Sequence, residues 1–235
     1  MSTWQPMYVL TTFRPACWYC FTSPAILNPL EPEATPEPLP QLDESEASIV
    51  KALTGALDKS WMDVLITESL IRKIVATVDH LPEATLPANV VPLKRVSGAL
   101  LVQQTGEQKT ISPHNAERYL AYIERIQHVD AKKLAAVYRQ YYPLFQHAYT
   151  EIAKPGSYFN DRLVQAIDDL LATPDVEEPV GVVQPKILYR YADTALEERS
   201  AGQKIMIRMG KANAERVKAK LREFRTLVAA VKGAG

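Results

Sequence analysis

Between Tyr138 and Phe159 the chain places seven aromatic rings within 22 residues, and that density limits the folds open to it. Tyr138, Tyr141, Phe145, Ala148, Tyr149 and Ile152 recur every three or four positions, which puts them on one face of a helix. Aromatic side chains carry so much apolar surface that a stripe of them must be buried against other elements. Rings beside basic residues can instead form a stacking platform for single-stranded nucleic acid, but such platforms are exposed, and regular helical spacing marks a core. Pro143 lies inside the stripe. It removes a backbone donor and crowds the carbonyl of Arg139, so a kink is predicted near Tyr141 and Tyr142.

The segments flanking this stripe carry clear boundary signals. Asp130 is placed to cap the aromatic helix, and Lys154-Pro155-Gly156-Ser157 is a turn. Phe159-Asn160-Asp161 then reads as a second helix start. Asn160 serves as N-cap, Phe159 staples onto Val164, and Asp161 sits where the helix dipole favours an acid. Leu163, Val164, Ile167, Leu170 and Leu171 form its buried stripe, and Thr173-Pro174 ends it. Upstream, Asp43 with Glu46 resembles a capping box ahead of Ile49, Val50, Leu53 and Leu57. Another helix follows Thr67 and stops at His80-Leu81-Pro82. Residues 82–97, with three prolines, read as a crossing loop. Ala99–Gln104 and Lys109–Ile111, joined through Thr105-Gly106-Glu107, form a hairpin that must lie against helices. Ser112-Pro113 starts a helix that runs to about Gln127.

Toward the C-terminus, Val180–Val183 and Ile187–Tyr191 are apolar runs too short for periodicity to decide between strand and irregular core. Asp193 and Ser200 are cap candidates, and Gly210 closes the helix over Ala201–Met209. The last helix, from about Ala212 to Val231, has a stripe of fewer than three heptads and therefore packs on the core. The fold class is mainly α: a single helical domain with a small β-hairpin, over residues 42–232. Ahead of it, residues 1–41 form a disordered N-terminal segment and Pro-rich linker, because the six prolines from Pro24 to Pro40 favour extended backbone without internal hydrogen bonds.

The 27 basic and 27 acidic residues balance, so no global field recruits a polyanion. Residues 24–69 carry nine acids and two bases, and residues 201–235 carry nine bases and two acids; mutual neutralisation is the simplest reading. Cys17 and Cys20 lack the further ligands of a zinc site and the βαβ context of a redox motif, so they read as incidental thiols. No 18-residue apolar run marks a transmembrane helix.

No nucleophile elbow, phosphate-binding glycine loop or H-E-x-x-H is present, so no catalytic residue, cofactor or metal ligand is assigned. The candidate ligand-binding constellation is Tyr158, Asn160, Asp161, Arg162, Asp193, Gln203, Lys204, Arg208 and Asn213, with Glu197 beside them. In one reading the Asn160–Arg162 region with Lys204 and Arg208 receives an anionic group, as a small-ligand binder or as an enzyme with a dispersed site. In the other, which the local cap assignments favour, these residues are caps and ion pairs such as Asp161–Arg208 or Asp193–Lys204. Arg216, Lys218, Lys220, Arg222 and Arg225 give the last helix a basic face, read as solvated or as meeting the acidic N-terminal segment. No nucleic-acid partner is expected, since no known binding module accompanies it; nucleic-acid binding through this helix is the second alternative to the leading reading.

Taken together, YYPLFQHAY, YFNDRLVQAIDDLLATP, QPKILYRYAD, LEERSAGQKIMIRMG and NAERVKAKLRE, preceded by LPQLDESEASIVKAL, ATVDHLP and LVQQTGEQKTISPHNAERY, resemble the bacterial domain-of-unknown-function family 3014. The resemblance covers roughly Leu39 to Leu227. It implies an uncharacterised, non-enzymatic interaction or scaffold module of the bacterial cell envelope, facing the periplasm from the inner membrane, with an unknown protein partner. Members resemble proteins with one membrane helix, a Pro-rich spacer and then this domain. Residues 1–23 do not form such a helix, so membrane association is expected only through an anchor that this chain lacks or carries in altered form. With residues 1–23 as its N-terminus, the chain is expected to be soluble.

Overall fold

In the computed structural model, which describes residues 25–30 and 38–229, the aromatic stripe becomes the helix α4 (Ala131–Thr150). Asp130 caps it: the carboxylate accepts from the backbone N–H groups of Lys132 and Lys133, and these bonds hold its pKa below the usual carboxylate value. The helix runs unbroken through Pro143. It buries Tyr138, Tyr141, Tyr142, Leu144, Phe145, Ala148 and Tyr149, so its apolar surface extends well beyond a single face. A helix apolar over most of its circumference belongs in the interior, and α4 is surrounded accordingly. Packed on it are α1 (Glu46–Ala56), α2 (Leu70–His80), α5 (Phe159–Leu171) and α8 (Lys211–Val228).

The rings form one cluster. Tyr138 meets Tyr142 edge-on at 5.7 Å, lies 5.4 Å from Phe145 and approaches Phe224 of α8 at 6.3 Å. Phe145 stacks on Phe159 at 5.8 Å, and Tyr149 reaches the same ring at 5.4 Å. The aromatic set is therefore core. Ile152 is the exception: α4 ends at Thr150, and Ile152 turns into solvent at 53% exposure.

Two satellite clusters lie beside this core. Ile123 of α3 (Leu120–His128) packs with Met206 of α7 (Ala201–Arg208) and with Met209 and Ala214. The other joins Val180, Tyr191 and Ile207 beneath a sheet. The expected hairpin is present as β1 (Val102–Thr105) and β2 (Gln108–Ile111), but it is half of a larger element. β3 (Gly181–Val183) and β4 (Arg190–Tyr191) extend it into an antiparallel sheet of order β1-β2-β3-β4, with Lys109 opposite Val182 and Val182 opposite Tyr191. Thus Gly181–Val183 and Arg190–Tyr191 are strand, while Ile187 and Leu188 lie at an exposed tip, 88% and 77% accessible. A short helix, α6 (Thr194–Glu197), connects β4 to α7.

Several boundaries differ from the sequence expectation. Asp43 and Glu46 form no capping box. Residues 42–44 are a 3₁₀ turn, Asp43 bonds to Arg72, and Glu46 accepts from the N–H of Ser69 at the mouth of α2. Pro113 starts a 3₁₀ stretch to Tyr119 rather than an α-helix, and Ser112 makes no side-chain cap bond. Asp193 and Ser200 do cap their helices, accepting from Ala195 N–H and Gln203 N–H. Gly210 has φ 84° and ψ 153° just beyond α7, a positive-φ conformation open to glycine but not the αL geometry of a C′ cap. The N-terminal segment needs one amendment: residues 27–30 bond to the start of α5 instead of standing free of the domain. Cys17 and Cys20 lie outside the described residues.

Candidate functional site

The start of α5 is where the predicted constellation concentrates, and its side chains act differently from the sequence expectation. Asn160 is not a cap. It is fully buried, accepts from the Tyr138 hydroxyl at 3.0 Å, and donates through Nδ2 to the carbonyls of Asn28 (2.9 Å) and Val228 (2.8 Å). Burial pushes the Tyr138 phenol far above its ordinary pKa, so it stays protonated and donates. The first N–H of α5, on Phe159, bonds instead to Oε1 of Gln146 on α4 (2.8 Å), which also accepts from Tyr142. Gln146 thus performs the capping role assigned to Asn160, with a donor and acceptor reaching across from a neighbouring helix.

Asp161 sits in the first turn as expected, but its carboxylate is not paired with Arg208. It accepts the N–H groups of Leu27 (3.1 Å) and Asn28 (2.6 Å), together with the Asn28 side-chain amide. Tyr158 continues the contact: its hydroxyl lies 3.2 Å from the N–H of Leu30 and 3.3 Å from the carbonyl of Leu30. Pro29 has no N–H, so every backbone donor from Leu27 to Leu30 has a partner. The Leu30 side chain packs against the main core. Tyr158, Asn160 and Asp161 therefore grip residues 27–30, where the chain bends, chiefly by the main chain.

The predicted cations are occupied one by one. Arg162 donates to the Asp79 carboxylate at 2.9 Å, to the Asp79 carbonyl, to Glu83 at 2.6 Å and to Gln165. Burial alone would lower its pKa, but the two acids outweigh this and raise it. The guanidinium, 14% exposed, ties α5 to the end of α2. Lys204 donates to the carbonyl of Glu197 rather than to Asp193. Arg208 lies over the Tyr191 ring at 5.6 Å, a cation–π contact. Tyr191 itself is pushed up to about 12 by burial, against the opposing charge of Arg208, and donates to the Lys204 carbonyl. Gln203 donates to the carbonyl and carboxylate of Asp169, and Asn213 to the carbonyls of Ala116 and Met209. The nine residues thus divide: Tyr158, Asn160 and Asp161 share one bound segment, while the other six bond to separate protein partners.

The basic face of α8 is also mostly satisfied, by α5, the loop after it and α8 itself. Lys218 is buried, donating to the Thr173 carbonyl at 2.9 Å with Glu215 at 3.1 Å. Lys220 pairs with Glu223, Arg225 with Asp168, and Arg222 reaches Glu215 at 3.9 Å. Sequence reasoning missed these partners, along with Gln146, Asp79, Glu83 and Asn115. Asn115, also fully buried, accepts from Leu101 N–H and Arg118 and donates to the Arg208 carbonyl, so it pins β1 to α7. No local pattern announces a buried amide whose partners lie on other elements. Among the described residues, no group of three His, Cys, Asp or Glu side chains could hold a metal ion, and no helix is long and apolar enough to cross a membrane.

Fold and site define a helical domain with a small attached sheet that seats a piece of its own N-terminal spacer on one helix end. Residues 70–225 match the profile of the family described as protein of unknown function (DUF3014), and the chain belongs to that family. The match begins at α2, later than the Leu39 start of the resemblance read from the sequence. No curated protein and no solved structure matches the chain.

Proposed function

We propose that the chain is a non-catalytic interaction module of the bacterial cell envelope, held by its Pro-rich spacer and presenting the sheet to a protein partner. The observation that carries the reading is the seating of residues 27–30 by Tyr158, Asn160 and Asp161. A spacer gripped by its main chain fixes where the tether leaves the domain, and so which surfaces the domain offers. The β3–β4 tip, with Ile187 and Leu188 exposed together, is the apolar surface offered for contact. The envelope location rests on the family resemblance and the spacer. The anionic-ligand reading has no such support, because Arg162, Lys204 and Arg208 each already have partners.

Photo-crosslinking in bacterial envelopes, from a reactive group at Lys186 beside the tip, tests the proposal. One reproducible protein adduct is expected, lost when Ile187→Asp and Leu188→Asp are combined in a chain that retains its helical circular dichroism. Absence of a reproducible adduct, or an adduct indifferent to the double substitution, would overturn it.

A further inference from the structure

Residues 27–30 and the start of α5 meet as a peptide meets its receptor. The bonds between them join positions 128 to 134 residues apart, and on the spacer side they fall within four consecutive residues. Burial along the segment is uneven. Ile26, Leu27 and Pro29 are exposed, while Asn28 and Leu30 are half-buried. The side chains are therefore read at two positions, 28 and 30.

Position 28 is read by charge and hydrogen bonding. The Asn28 N–H and side-chain amide both donate to Asp161 Oδ1, at 2.6 Å and 3.1 Å, and its carbonyl accepts from Asn160 Nδ2 at 2.9 Å. An ionised carboxylate only accepts, so Asp161 takes an amide and repels an acid of the same shape. Position 30 is read by volume: the Leu30 side chain packs on the main core while its N–H and carbonyl meet the Tyr158 hydroxyl. Pro29 between them has no donor to satisfy and a fixed φ, so little conformational freedom is lost on binding. On the receptor side, the Tyr138 hydroxyl and the Val228 carbonyl hold Asn160. Its amide is thus aimed by the core rather than by the segment it grips.

We propose that the start of α5 is a docking site for peptides that carry Asn-Pro-Leu, and that residues 28–30 are its built-in competitor. A protein partner presenting the same three residues displaces the spacer and lengthens the tether. The inference rests on the seating that carries the proposed function and adds to it that the occupant can be exchanged. A segment joined to its site by a short spacer is held there at a millimolar effective concentration, so a free peptide competes poorly until the tethered copy is weakened.

Asn28→Asp in the full chain weakens that copy by setting a carboxylate against Asp161, and Leu30→Ala is a second way to vacate the site. A fluorescein-labelled peptide of residues 24–33 (PAILNPLEPE) is titrated with each chain and its anisotropy read. Saturable binding of one peptide to each vacated chain is expected, with binding to the unmodified chain at least about tenfold weaker. A peptide with Asp in place of Asn28 should bind about tenfold more weakly, and Asp161→Ala added to a vacated chain should weaken the native peptide about as much. Failure of both vacated chains to bind would overturn the proposal, as would binding indifferent to Asp161→Ala or to the peptide's asparagine. If the Leu27 and Asn28 amides of the unmodified chain exchange slowly while neither vacated chain takes the peptide, the seating stands and the docking site falls. A dimer of the unmodified chain that Asp161→Ala dissociates would assign the site to a second copy's spacer and overturn the built-in competitor.

Discussion

Asn160 shows how one side chain can be read correctly as important and wrongly as to its role. Its position after an aromatic residue and before an acid fits an N-cap, and caps are satisfied locally. In the folded chain its carbonyl and amide are used by three distant elements: Tyr138 on α4, Asn28 on the spacer and Val228 at the end of α8. Asn160→Ala would leave a buried hydroxyl and two carbonyls without these partners. A loss on the order of 2–4 kcal/mol is expected in urea unfolding, well above the cost of losing a cap. Asp161→Ala should act differently: the domain keeps its stability, but the amides of Leu27 and Asn28 lose their acceptor and exchange with solvent faster, as hydrogen exchange would show. Equal protection of those amides in the variant would mean that the carboxylate does not hold the spacer.

At the level of elements, helix stripes and charged caps were legible because both depend on near neighbours. The stripe of α4, the cap Asp130 and the positive-φ Gly210 all follow from spacing or single-residue conformational rules. The sheet was only half legible. β3 and β4 are three and two residues long, too short to carry a period, and they exist because β2 provides a paired edge and α7 a face. The approach of α7 to α2 was likewise invisible, yet it is close. A Cβ on Gly202 would lie 2.7 Å from Leu170 Cδ2 and 3.1 Å from the carbonyl oxygen of Leu81, which already accepts from the Gly202 N–H. The Leu170 terminus can rotate away, whereas the Leu81 backbone cannot retreat without breaking that bond. Gly202→Ala is therefore expected to cost about 1–3 kcal/mol by thermal or urea unfolding, although alanine is the better helix former.

Across the described residues, charges are balanced in local pairs. Arg72 joins Asp43 and Glu151, Arg162 joins Asp79 and Glu83, and Lys211 meets Asp175. The bond from Arg72 holds Glu151 below the usual carboxylate range, and Lys211 does the same for Asp175. A carboxylate lowered on folding stabilises the native state above its unfolded pKa, about 4.3 for Glu and 3.9 for Asp, and that contribution is lost as pH falls through the folded value. Scanning calorimetry should accordingly show a melting temperature that declines below about pH 4. Glu151→Gln should lower it modestly at neutral pH and flatten the decline, because an exposed pair is worth little. A decline as steep in the variant as in the parent would assign the acid sensitivity to other groups.

By itself the sequence determined the helical class, the burial of the aromatic stripe, most helix ends and the kinship with its family, since each depends on periodicity, on single-residue conformational preference or on the succession of quoted motifs. Only the tertiary structure decided what the polar residues of the candidate site do. Tyr158, Asn160 and Asp161 meet residues more than a hundred positions away, and Arg162 meets acids about eighty positions away. Which polar group finds which partner is set by how the helices pack, and no local rule of spacing contains that information.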